Sequence, residues 1–118
     1  MNKDRLIAWI QKTYNVEPEY LWRKYPNYAV FRHGHNGKWF ALVMDVEKSK
    51  LGLAGTGKVD ILDVKEDPGL VIEMVKHSSF YPAYHMNKEN WISVALDGTI
   101  DDDKIASMVK TSYALTSK

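Results

Sequence analysis

The sequence contains no cysteine, so a disulfide framework, a thiolate zinc site and a thiol nucleophile are all excluded, and nothing argues for an oxidising compartment. It lacks any long apolar run. Met1-Asn2-Lys3-Asp4-Arg5 is followed by only a short apolar stretch, too short for a signal peptide or a membrane span, and a cytoplasmic protein with no membrane partner is expected. It also lacks a charge excess: sixteen basic residues against fifteen acidic ones leave a net charge of +1. Affinity for a polyanion must therefore come from segregating the basic residues on one surface. With 118 residues the chain suffices for one domain, residues 1–118, with a core of its own.

What is present includes a glycine-rich stretch, "LGLAGTGKVDIL" at residues 51–62, with the spacing of a phosphate-binding loop: Gly52, then Gly57 and Lys58. Such a loop needs a helix behind it, whose N-terminal N–H groups face the phosphates, and a Ser or Thr after the lysine to hold magnesium. Here Val59 follows the lysine, and Val59 to Lys65 is rich in β-branched residues and reads as a strand. The stretch is therefore expected to be a long turn between antiparallel strands.

The remaining elements follow from spacing. Leu6, Ile7, Ile10 and Tyr14 form one stripe of an amphipathic helix, with Asn2 as N-cap and Asn15 as stop. Asn36-Gly37, which tolerates the positive φ angles of a tight turn, separates strands Tyr28 to His33 and Lys38 to Glu47. Strict alternation on the second strand puts Phe40, Leu42, Met44 and Val46 on one face, with Trp39, Ala41, Val43 and Asp45 on the other. Asp67-Pro68 opens a short helix, and Phe80 to Tyr84 breaks it. Trp91 to Leu96 is a strand ending at Asp97-Gly98. Asp101-Asp102-Asp103 opens a last helix with Ile105, Met108, Val109, Ser112 and Tyr113 facing inward. Strands adjacent in sequence and helices at the ends give a two-layer α+β sandwich: an antiparallel β-sheet with N- and C-terminal helices packed on one face. The opposite face is expected to be partly open to solvent, with Trp39 and Arg32 on it.

Few groupings suggest chemistry. His33 and His35 lack a third metal ligand by spacing, and the aspartate triplet caps a helix more readily than it holds a cation. Ser78-Ser79 beside His77 has neither a nucleophile elbow nor an orienting acid, so no enzyme is indicated. The densest segment is "FYPAYHMNKENW", residues 80–91, where Phe80, Tyr81, Tyr84 and Trp91 surround His85, Asn87, Lys88 and Asn90. That mixture stacks on bases and donates to phosphates. On residue types alone a plain structural role suits it better, with Asn87 capping a turn and Trp91 in the core.

The run "HMNKENWISVALDG", residues 85–98, together with "FALVMDVEKSKLGLAGTGKVDILDVKEDP" and "FYPAYH", resembles the MmcQ/YjbR family of small bacterial proteins over nearly the whole chain. His85, Asn87, Lys88, Trp91 and Asp97-Gly98 carry the likeness. The resemblance implies a frataxin-like (CyaY-like) sandwich and a double-wing mode of DNA binding, with no established catalytic residues and no cofactor. On that reading the glycine loop is a wing. The DNA-binding candidates are Arg32, Lys38, Lys58, His85, Asn87 and Lys88, while Trp91, Asp97 and Gly98 are a structural motif. A protein or small-ligand interaction module is the alternative. Frataxin-like metal binding is the other, though here the first helix sets Lys3, Arg5 and Lys12 against Asp4 alone. A monomer is expected.

Overall fold

A computed structural model describes the whole chain, Met1–Lys118. Helix α1 (Lys3–Tyr14) begins where the Asn2 side chain accepts the Arg5 N–H and ends at Asn15, whose φ of 53° breaks the helical path. Helix α3 (Asp102–Thr116) begins where Asp101 accepts the Lys104 N–H at 2.7 Å. Between them lie β1 (Ala29–Arg32), β2 (Trp39–Glu47), a 3-10 turn at Lys48–Leu51, β3 (Lys58–Lys65), helix α2 (Pro68–Met74), β4 (Phe80–Pro82) and β5 (Trp91–Ala95). The strands form a single antiparallel sheet in the order β1-β2-β3-β5-β4. No helix is long and apolar enough to cross a membrane.

Two cores back the two faces of this sheet. On the helix side, Leu6 and Ile10 of α1 and Ile105, Met108 and Val109 of α3 bury Phe31, Phe40, Val43, Leu62, Val64, Ile92 and Val94. On the other side, Tyr28, Val30, Leu42, Met44, Val46 and Ile61 lie beneath residues from the loops, including Trp22, Leu51, Tyr84 and Met86. The face expected to be partly open is thus roofed by segments without regular structure, residues 16–28 and 83–90. Their coverage is incomplete: Tyr25 remains exposed and Trp22 half-buried.

The strict alternation expected of β2 fails at its start. Phe31 pairs with Ala41, but the next residue, Arg32, pairs with Trp39, so Phe40 is the extra residue of a β-bulge. The bulge turns Phe40 onto the helix face with Ala41 and Val43, and Trp39 onto the loop face with Leu42 and Met44. Beyond it, the Phe40 C=O and the Lys65 N–H no longer meet across β2 and β3. The buried Ser112 hydroxyl of α3 stands between them, donating to Phe40 O at 2.6 Å and accepting from Lys65 N at 2.8 Å. A small polar residue on the inward side of α3 thereby satisfies backbone groups that burial would otherwise leave unpaired. The segment expected merely to break α2 contains β4, a short edge strand ending in Pro82, which has no N–H to offer a further strand.

Candidate functional site

The basic candidates sit at opposite ends of the molecule. Lys58 pairs with Glu47, the last residue of β2, whereas Lys38 precedes its first, a separation of roughly 30 Å at ~3.3 Å per residue. At the Lys38 end, the β1–β2 hairpin caps the C-terminus of α3. His35 Nε2 donates to Ser117 O at 2.9 Å, Asn36 Nδ2 to Thr116 O at 2.9 Å, and Lys38 Nζ to Lys118 O at 2.5 Å. Thr116 ends α3 and Ser117 is its C-cap, so the first two of these carbonyls lie at the end of the helix, where positive charge is favoured; Lys118 follows the cap. His33, buried beneath, reaches Thr116 Oγ1 at 2.8 Å. Because that hydroxyl spends its hydrogen on Ser112 O at 2.7 Å, His33 Nε2 is the donor, leaving its Nδ1 unprotonated and unpartnered. Burial, followed by the nearby His35, lowers the His33 pKa. Arg32 is engaged by both oxygens of Glu19, at 2.6 and 2.8 Å.

At the other end, lysines gather around aromatic rings on the loop face. A cavity of about 400 Å³ is edged by Lys24, Lys50 and Lys58, together with Tyr25, Tyr28 and Tyr84. A smaller one of about 180 Å³ adjoins it through Lys50 and Tyr84 and adds Lys88. Lys58 has Asp45 at 3.7 Å, a loose contact between an exposed ammonium and a mostly covered carboxylate that also accepts from Asn27 Nδ2 at 3.1 Å. Lys88 Nζ donates to Ala83 O at 3.0 Å, holding its own loop closed. Asn87, beside it, accepts the Glu89 N–H at 2.8 Å and so shapes the turn that leads into β5.

The rings form a continuous path across this face. Trp39 meets Trp22 edge-to-face at 5.8 Å, Trp22 meets Tyr28 at 5.8 Å, Tyr28 stacks on Tyr25 at 4.8 Å, and His85 lies 6.0 Å from Tyr28 and 4.1 Å from Tyr84. The Lys24 ammonium stands 5.9 Å from the Tyr25 ring centroid, within cation–π range. Burial, with Lys88 adding to it, lowers the His85 pKa, which favours the neutral ring. Burial likewise pushes the Tyr28 hydroxyl up to about 12, with Tyr84 next in effect. Lys24, Lys50 and the rings of residues 22–28 escaped the sequence reading. The signal was there in "YLWRKYPNY", residues 20–28, which alternates aromatic and basic residues as densely as residues 80–91 do.

Under this surface lies a buried carboxyl. Asp63 is fully enclosed on the loop face of β3; Ser93 of β5 donates to its Oδ1 at 2.5 Å, and its Oδ2 has no partner. Burial raises its pKa to about 8, against the smaller opposing effects of Ser93 and Lys88, so the group is protonated at neutral pH. The Ser93 hydroxyl also accepts the Tyr84 N–H at 2.9 Å, which ties the aromatic loop to the sheet.

The remaining motif residues are structural in their surroundings. Trp91 is 8% exposed, and its backbone N–H donates to Asn87 O at 3.0 Å. Burial alone would raise Asp97, but the Thr99 N–H at 2.9 Å and the Ser79 hydroxyl at 3.3 Å outweigh it and hold the carboxyl below its ordinary value. Gly98 adopts a φ of 88° in that turn, which a side chain would strain. The glycine loop runs directly into β3 at Lys58; a strand, with no helix N-terminus, follows the lysine, so the phosphate-loop geometry is absent.

A five-stranded antiparallel sheet, with terminal helices on one face and a lysine-edged aromatic surface on the other, defines a small α+β sandwich protein. The YjbR family model matches residues 11–115, and the chain belongs to that family. It is similar to the uncharacterized protein YyaQ of Bacillus subtilis, 38% identical over 116 residues covering 98% of each chain. It is also similar to the uncharacterized protein YjbR of Escherichia coli K12, 33% identical over 63% of this chain and 55% of that one. Among solved structures, the crystal structure of a Pseudomonas syringae protein superposes with a TM-score of 0.95 at 46% identity, covering 98% of this chain and 99% of that one. Protein DR2400 of Deinococcus radiodurans, with a DUF419 domain, superposes with a TM-score of 0.58 at 25% identity over 77% of this chain and 60% of that one.

Proposed function

We propose that this protein binds DNA weakly and with little sequence preference, through the lysine-edged aromatic surface on the loop face of its sheet. The observation that carries the reading is the convergence of Lys24, Lys50, Lys58 and Lys88, from four separate segments of a chain with almost no net charge, around Tyr25, Tyr28 and Tyr84. Lysines supply affinity by releasing counterions from phosphates, and tyrosine faces accept any base. The glycine loop, read as a wing, borders this surface through Lys58. The β1–β2 hairpin is committed to α3, and Arg32 to Glu19. Asp45 and Glu47 on the same rim temper the attraction, in keeping with a dissociation constant that is roughly micromolar or weaker at physiological salt.

Fluorescence anisotropy with labelled DNA at several salt concentrations tests this. The logarithm of the binding constant is expected to fall against the logarithm of salt with a slope near roughly −3. Lys50→Ala and Lys58→Ala should each flatten the slope by about 1 and weaken all sequences alike. Arg32→Ala and Lys38→Ala should leave it unchanged. Absence of binding at low salt would overturn the proposal.

A further inference from the structure

The lysine rim is adjoined by a second cavity of different chemistry. About 260 Å³ in volume, it is walled by Trp22, Trp39, Tyr25, Tyr28 and His85, with Leu42 and Met86 completing it, and no lysine, arginine or carboxylate lines it. It shares Tyr25 and Tyr28 with the larger lysine-edged cavity. An apolar, ring-walled hollow thus opens directly beside a cationic one.

We infer that this hollow takes one unstacked nucleobase, so that the DNA preferred by the surface is single-stranded; the inference rests on the reading of the rim as a DNA-binding surface. The physical reasons are three. First, the volume lies just under the roughly 300–1,000 Å³ of cavities that enclose a whole drug-sized ligand, which suits one ring system with its sugar and phosphate left outside. Second, the alternative guest of an aromatic cage, an organic cation, is opposed here. Lys24 already occupies the approach to Tyr25, and the charge of Lys88 is felt at His85. A ring that carries its negative charge at some distance meets the opposite situation, with its plane among π faces and its phosphate among ammonium groups. Third, Trp22 and Trp39 stand at 89° to one another, presenting a face and an edge that a single inserted ring can meet together. In a duplex every base is already stacked and paired, and placing one in the hollow would cost that stacking. With no carboxylate, amide or guanidinium in the lining, the side chains that pair two-fold with a base edge are absent, so little discrimination among bases is expected.

The test compares four labelled probes on the intact protein: an oligothymidylate of about 10 nucleotides, the same length of abasic backbone, a duplex of the same length, and thymidine monophosphate. The oligothymidylate is expected to bind about tenfold more tightly than the abasic strand, as one stacked base allows, and more tightly than the duplex. Trp39→Leu and His85→Ala should each erase most of that difference while leaving the salt slope intact. Lys50→Ala should weaken the oligothymidylate and the abasic strand equally. Equal binding of oligothymidylate and abasic strand by the unaltered protein, still dependent on Lys50 and Lys58, overturns the base pocket but keeps the DNA surface. No binding of any strand overturns both. Binding of the monophosphate as tight as that of the oligothymidylate overturns the inference in favour of a small-ligand site.

Discussion

The two faces of the sheet are built on different principles. The helix face is closed by two amphipathic helices whose aliphatic side chains interlock with Phe31, Phe40 and their neighbours, all of them fully buried. The loop face has a smaller core and is roofed by residues 16–28 and 83–90, whose large rings are only partly covered. Each face also buries one titratable side chain with an unpartnered atom, His33 at the edge of the helix face and Asp63 on the loop face. Regular structure consolidates a surface because helices satisfy their own backbone groups, whereas a loop needs help from side chains such as Ser93 and Lys88. The helix layer carries a groove of its own, about 670 Å³ between α1 and α3 with Trp9, Tyr14 and Tyr113 along it, but only one lysine lines it; the lysine-edged cavities belong to the face held by individual contacts, and there binding is proposed.

This contrast can be broken most directly by truncating rings. Phe31→Ala on the helix face should cost about 4 kcal/mol, the ordinary loss for a fully buried phenylalanine. Trp22→Ala in the loop roof should cost less, about 2 kcal/mol, because its ring is only partly buried. Chemical denaturation of both variants checks the pair, and equal losses would mean that the roof is as consolidated as the helix layer. Trp91→Ala sharpens the point: although on the loop side of β5, its ring is buried, and about 3 kcal/mol should be lost.

A second comparison uses pH, since the two buried groups respond in opposite directions. The raised pKa of Asp63 means that, from the ordinary carboxylate value of 3.8 up to about 8, the folded protein holds a proton that the unfolded chain has released. Stability from this group therefore declines as pH rises through that window, by at most about 1.4 kcal/mol per unit. His33 is lowered, so below its ordinary value of 6.5 the unfolded chain takes up a proton that the folded protein refuses, and stability declines as pH falls. Asp63→Asn should remove the decline between pH 3.8 and about 8 and raise the melting temperature at pH 8. His33→Gln should remove part of the acid decline below about pH 6.5. Melting curves from pH 5 to 9 read both, and unchanged pH profiles would show that neither group titrates as assigned. The smallest effect is expected at Lys38: its replacement by Ala should cost about 0.5 kcal/mol by removing positive charge from the end of α3.

Much of this architecture was legible in the sequence because local chemistry specified it. Asn2 and Asn15 bracket α1, Asn36-Gly37 marks the first hairpin, and Asp101 opens α3, each where its short-range hydrogen bonding or backbone freedom dictates. What escaped depends on partners distant in the chain. The faces of Phe40 and Trp39 are exchanged by a bulge that Ser112, seventy-two residues away from Phe40, helps to satisfy. β4 is a strand through its pairing with β5 and the seating of Phe80 in the core. At the candidate site, Lys58 and Lys88 stood out as loop lysines. Lys24 and Lys50 become their neighbours only when residues 22–28 fold across the sheet, and Lys38 takes another role because α3 ends beside it.

The position of α3 in the chain bears on biosynthesis. The meander of β1, β2 and β3 is made before residues 102–116, so a chain that lacks α3 presents Phe31, Phe40, Val43, Leu62 and Val64 with half of their cover missing. Until α3 docks, the Phe40 carbonyl and Lys65 amide also lack the Ser112 hydroxyl. An exposed apolar sheet of this kind is what aggregates or recruits holding chaperones during synthesis. A chain ending between residues 96 and 101 should therefore be sticky and protease-sensitive, and the full chain should fold in a single cooperative step.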